Sequence, residues 1–115
     1  MTRNLTDDEK HLIARIAARL GGDEGAQLLR DLEQATVASA ADDGSRITFE
    51  IAGHARPAYL GQHPYGVEGK LLDRDGEEMS VLLHADESGR LLELEFVRWG
   101  EGEQTRPDWD TLTLY

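Results

Sequence analysis

The stretch that most constrains this chain runs from Val67 to Trp99, VEGKLLDRDGEEMSVLLHADESGRLLELEFVRW. Met79, Val81, Leu83 and Ala85 alternate with Ser80, Leu82 and His84, while Leu92, Leu94 and Phe96 alternate with Leu91, Glu93, Glu95, Val97 and Trp99. Successive side chains of a strand point to opposite faces, so alternation of this length predicts strands with one buried face. Ser88-Gly89, read as a two-residue turn, pairs Glu87 with Arg90, Ala85 with Leu92, Leu83 with Leu94, Val81 with Phe96 and Met79 with Arg98. A one-residue slip would set Leu83 against Glu93 or Glu95. Arg74-Asp75-Gly76 reads as a three-residue loop that pairs Asp73 with Glu77, Leu71 with Met79, Gly69 with Val81 and Val67 with Leu83. The two turns, read independently, choose the same apolar face.

The opposite face then carries Glu68, Lys70, Leu72, Glu78, Ser80, Leu82, His84, Leu91, Glu93, Glu95, Val97 and Trp99. His84 falls beside Glu93, and Leu82 is flanked by Glu68 and Glu95. Apolar spots within a ring of carboxylates suit a binding surface, and equally a solvated face or one partly covered by the C-terminal segment. The candidate partner-binding residues are Glu68, Leu82, His84, Glu93, Glu95, Trp99 and Trp109. Large amphipathic rings dominate interface hot spots, although either tryptophan would serve as well to cap the core at a sheet end.

Two helices precede the sheet. Thr6 and Glu9 form a capping box, Asp7 and Asp8 suit the positive end of the helix dipole, and Leu12, Ile13, Ile16, Ala17 and Leu20 make one apolar stripe. Gly21-Gly22 ends this helix, and a second begins near Asp23 as N-cap. Its stripe reads Leu28, Leu29, Leu32 and Ala35, with Arg30, Asp31, Glu33 and Gln34 on the wet side. Thr36–Ser39 leans to strand on its β-branched pair, and Arg46–Ile51 alternates Ile47, Phe49 and Ile51 against Arg46, Thr48 and Glu50. The expected fold is a single α+β domain over residues 1–115, an N-terminal helical hairpin packed on one face of an antiparallel β-sheet meander of four to six strands. The final residues, Thr111 to Tyr115, are expected to add an edge strand. Residues 52–66, with two prolines, two histidines and two tyrosines, form a long loop that Tyr59, Leu60 and Tyr65 tie down.

Acidic residues outnumber basic ones 23 to 12, for a formal charge of −11. Such a field repels nucleic acid and anionic membrane and speeds encounter with a basic protein partner. Cysteine is absent, which removes disulfides, thiolate chemistry and Cys-containing zinc sites. The N-terminus lacks a signal-peptide pattern, so a cytoplasmic location is expected, and no apolar run is long enough to span a bilayer. A monomer is favoured. His11, His54, His63 and His84 show no HxH or HExxH spacing, so no metal and no cofactor is expected. Asp73, Asp75 and Glu77 lack the later ligands of a calcium loop, and Gly100-x-Gly102 lacks the following helix of a nucleotide site. His84 beside Glu93 could act as an acid–base pair or be simple cross-strand pairing. No catalytic residue is assigned and enzyme activity is not expected. The alternative is a small-ligand or enzymatic domain using the 52–66 loop and His84.

The run VLLHADESGRLLELEFVRW, following LLDRDGEE and an N-terminal LTDDEKHLIARI, resembles small uncharacterised acidic bacterial domains, similar in size and charge to polymorphic-toxin immunity proteins. That resemblance implies a non-enzymatic inhibitor that binds one toxin domain, often a basic nuclease, and blocks its cleft. It would place Glu93 and Glu95 against the cationic cleft.

Overall fold

The computed structural model describes residues 3–57, 61–100, 102 and 105–115. Helices α1 (Asp7–Leu20) and α2 (Gly22–Glu33) precede strands β1 (Ala35–Ala40), β2 (Arg46–Ile51), β3 (His63–Asp73), β4 (Glu78–Ala85), β5 (Leu91–Arg98) and β6 (Pro107–Leu114). The strands form one antiparallel sheet in the order β1-β2-β5-β4-β3-β6. The α+β architecture is therefore as expected, and the C-terminal segment extends the sheet beside β3 instead of covering a face.

The capping box forms: Thr6 Oγ1 accepts from the Glu9 N–H at 3.1 Å, and Glu9 Oε1 accepts from the Thr6 N–H at 2.8 Å. Glu9 also takes both Arg3 guanidinium nitrogens, at 2.9 and 3.0 Å. Arg3 in turn pairs with Val37 through two backbone bonds, closing part of the free edge of β1. The second helix starts two residues earlier than Asp23 as N-cap predicts. Gly21, at positive φ, is the N-cap and offers no side-chain bond, so Asp23 sits in the first turn and meets the dipole there. At Gly25 a Cβ would run into the Ala17 carbonyl, so glycine sets how closely the two helices approach.

The α2 stripe is corrected in three places: Ala35 opens β1 instead of continuing the helix, and two helical positions change sides. Leu29 is 44% exposed, whereas Asp31, expected on the wet side, is fully buried. Position 31 lies three residues from Leu28, on the same helical face, so geometry overrides side-chain polarity. Asp31 earns its place by accepting from Arg90 Nε at 2.7 Å, Gln27 Nε2 at 2.9 Å and the Leu91 N–H at 3.0 Å.

The β4–β5 register holds over its central length: Met79 faces Arg98, Val81 faces Phe96, Leu83 faces Leu94 and His84 faces Glu93. The reversal itself differs. Asp86 and Arg90, not Glu87 and Arg90, close a three-residue loop through the Asp86 N–H to Arg90 O bond at 2.8 Å, with Gly89 at φ 79°. The extra loop residue pairs Ala85 with Leu91 in place of Leu92, and a bulge before Glu93 restores the expected pairing. Leu91 therefore enters the core fully buried, and Leu92 is buried outside the main cluster. Asp73-Arg-Asp-Gly76-Glu77 is the same reversal, with Asp73 N–H to Glu77 O at 2.7 Å and Gly76 at φ 91°. Leu71 faces Met79 and Gly69 faces Val81 as expected, but a bulge between Pro64 and Glu68 removes the Val67–Leu83 pair.

The helices cover the face carrying Val81, Leu83, Leu94, Phe49 and Leu71, which joins Leu12, Ile13, Ile16 and Leu28 in one core. β3 begins at His63, so the connecting loop is shorter than the 52–66 span, and Tyr65 is buried in the core. Tyr59 and Leu60 lie outside the described residues. Arg56 bolts the described part of the loop: its guanidinium donates to Phe49 O and Leu91 O at 2.7 Å each and to Asp86 at 2.9 Å.

Candidate functional site

The sheet face turned away from the helices divides into two ends. Cross-strand pairing aligns Arg46, Glu95, Leu82 and Glu68 in one row, and Thr48, Glu93 and His84 in the next. Glu68 then exchanges backbone hydrogen bonds with Tyr115 at 3.0 and 2.9 Å. On the other side lie Val97, Ser80, Lys70 and Thr113, then Trp99 beside Glu78, and Leu72 paired with Glu78.

The first end is internally paired, with one guanidinium, one imidazole and one amide set against two carboxylates. His84 Nε2 lies 3.0 Å from Glu95 Oε1, the diagonal neighbour and not the directly opposed Glu93. Arg46 spans both carboxylates, at 3.3 Å from Glu93 and 3.3 Å from Glu95, and Gln62 Nε2 donates to Glu93 Oε1 at 2.6 Å. His84 is buried and Glu93 is only 8% exposed, so these two, expected on an open surface, are largely enclosed, while Glu95 stays partly exposed. Packing the Gln62 segment and Arg46 over them does this, because a carboxylate removed from water needs donors.

The second end is open. Leu72, Val97, Trp99 and Tyr115 are four of the five exposed large apolar side chains among the described residues. Trp99 is 68% exposed, so it does not cap the core. Its indole N–H donates to Ser80 Oγ at 2.9 Å, which fixes the ring against the sheet. Lys70 reaches Glu78 at 2.9 Å and stands 5.7 Å from the Tyr115 ring centroid. Of the sequence-expected residues, Glu68 and Trp99 are exposed and Leu82 is half-buried on this face. Trp109 belongs elsewhere: it packs edge-on against Phe96, with centroids 5.8 Å apart, on the helix side of the sheet.

A second polar cluster involves residues that sequence reasoning left unconnected. Asp86, with its side chain fully buried, accepts from His54 Nε2 and Arg56 at 2.9 Å and from the Ser88 and Arg90 N–H groups at 2.8 and 3.1 Å. Burial pushes the Asp86 carboxyl upward, but these donors outweigh it and hold it at about 2. Asp73 plays the matching part at the other reversal. It takes Arg98 at 2.7 Å, the Thr105 and Arg106 N–H groups at 2.8 and 2.7 Å, and the Thr105 hydroxyl at 3.0 Å. Burial raises its pKa, but the Thr105, Arg74 and Arg106 N–H groups and the Thr105 hydroxyl together bring it below the usual carboxylate value. Each reversal thus begins with an aspartate that anchors a remote segment. The local signal for both is an Asp three residues before a Gly, and the distant partners leave no trace in local spacing.

Residues 2–104 match a protein-family model described as "Domain of unknown function (DUF6984)". The chain belongs to the DUF6984 family. The matched DUF6984 region contains His84, Glu93, Glu95 and Trp99 and stops ahead of β6 and Trp109. No curated protein and no solved structure matches this DUF6984 chain. No helix among its described residues is long and apolar enough to cross a membrane.

Proposed function

We propose that this domain is a non-enzymatic binding module that engages one basic protein partner stoichiometrically, in the manner of an immunity protein blocking a toxin domain. The observation that carries this reading is the open end of the outer sheet face, where Leu72, Val97 and Trp99 stand exposed on a chain of net charge −11. Exposed apolar side chains grouped on one face mark interaction surfaces more often than scattered ones do. A pinned indole costs less entropy to bury than a free one, which suits Trp99 as the anchor. Glu78, between Leu72 and Trp99, is already paired with Lys70, so a cationic partner is selected by the net charge of −11 through steering more than by carboxylates within the patch. Glu93 and Glu95, which the immunity resemblance set against the partner, contribute through the field more than by contact, since Arg46 and Gln62 already engage them. The small-ligand alternative gains nothing from the loop, whose His54 and Arg56 side chains are committed to Asp86.

The test compares immobilised wild type with Trp99→Ala in capture from the producing cell, followed by calorimetry on the purified pair. A basic protein bound one-to-one by wild type and weakened about 30-fold or more by Trp99→Ala is expected, the size of an interface hot spot. Equal affinity for both forms contradicts the reading.

A further inference from the structure

The internally paired end of the outer face has chemistry that partner docking does not use. We propose that His84, Glu93 and Glu95 form a binding site for a first-row divalent transition-metal ion, for which Zn²⁺ is the representative. One ligand atom from each of the three lies within 4.8 Å of the others. The strand geometry explains why. Glu93 and Glu95 are two apart on β5 and so share a face, and His84 stands opposite the first and diagonal to the second on β4. The 3.0 Å between His84 Nε2 and Glu95 Oε1 is a hydrogen-bond length, and it is also close to the separation of two donors each about 2.0–2.2 Å from one zinc ion.

The donor set selects the class of ion. One imidazole nitrogen with two carboxylates suits a borderline metal, whereas Ca²⁺ and Mg²⁺ take oxygen-only shells. Three protein ligands leave further coordination positions, on the side that the Arg46 guanidinium now occupies. Charge points the same way. Two carboxylates face one guanidinium, and both Arg46 contacts are long for charge-assisted bonds. The Arg46 side chain is 54% exposed, so it can turn into water as a dication takes its place. Gln62 remains behind Glu93 as a donor that orients the carboxylate, the outer-shell role such sites use. Nε2 is the only ring nitrogen of His84 with a polar neighbour, because Nδ1 is buried without a partner. Metal on Nε2 puts the proton on Nδ1, where it meets no acceptor, so the site draws its affinity from the two carboxylates and not from an oriented imidazole.

The experiment is calorimetric titration of the chelator-treated full chain with Zn²⁺, repeated with Co²⁺ to read its visible absorption. One-to-one uptake is expected, weakened at least about tenfold in Glu95→Gln, whose position is partly exposed and whose fold circular dichroism checks. Arg46→Ala, an exposed substitution, removes the competing cation and should tighten uptake about tenfold. Absence of one-to-one uptake in both wild type and Arg46→Ala overturns the proposal. So does uptake that Glu95→Gln and Arg46→Ala both leave unchanged. The titration needs no protein partner, so its result stands apart from the partner-binding reading.

Discussion

Asp86 shows how a single side chain can hold three segments. Its carboxylate joins the β4–β5 reversal to His54 and Arg56 from the loop after β2, and Arg56 carries the link on to Phe49 and Leu91. Removing one partner of a buried charge network leaves the others desolvated, so Asp86→Asn should cost about 3 kcal/mol in chemical denaturation. The same group sets an acid limit. Its folded pKa of about 2 lies below the unfolded value, so its contribution is complete above the unfolded pKa and is lost as pH falls through about 2. Stability should therefore decline between about pH 4 and pH 2, and Asp86→Asn should flatten that decline. Denaturation midpoints at several pH values check both, and a parallel decline in the variant would contradict them. At Trp99 the expectation is the opposite. The ring is mostly exposed and has one hydrogen bond to Ser80, so Trp99→Ala should change stability by less than about 1 kcal/mol in the same assay. Residue identity alone misleads at Asp31. A charged type suggests the wet side, yet its spacing from Leu28 already placed it on the buried stripe.

Among elements, the hairpins were the most legible part, because alternation and turn glycines are local. The central β4–β5 pairs and the Leu71–Met79 and Gly69–Val81 pairs follow directly from them. The miss at Ser88-Gly89 was one residue of loop length, and it moved Leu91 from the outer face to the core. The Asp-x-x-Gly spacing of the three-residue loop at Asp73–Gly76 recurs at Asp86–Gly89, so the local signal for the longer loop was present and only the compensating bulge was not. The neighbour relation of β2 and β5, which brings Arg46 to Glu93 and Glu95, joins segments far apart in sequence and was invisible for that reason. The helix pair carries its own constraint. Gly25→Ala forces a methyl group against the Ala17 backbone, so the helices must separate, at about 1–3 kcal/mol in thermal or chemical denaturation. An unchanged midpoint would mean that α1 and α2 are not held at this distance in solution.

For the whole molecule, the two sheet faces differ in how they are covered. One is sealed by the helices, and the other has an internally paired end around Glu93 and an open end around Trp99. A charge of −11 repels like-charged molecules and steers a cationic one, so association with the proposed basic partner should slow at least about tenfold between 50 and 500 mM salt. Dissociation should change much less, and stopped-flow mixing separates the two rates. Length, charge and alternation made the layered fold and an acidic outer surface readable. They could not show which carboxylates the chain neutralises for itself, since that depends on Arg46 and Gln62 arriving from other segments. The most direct measurement is a nitrogen-15 correlation spectrum of the labelled domain before and after addition of the captured partner. The account predicts changes at the Trp99 indole and at the Val97 and Leu72 amides, with the α1 and α2 signals unmoved. Changes confined to the helices, around exposed Leu29 for example, would contradict it.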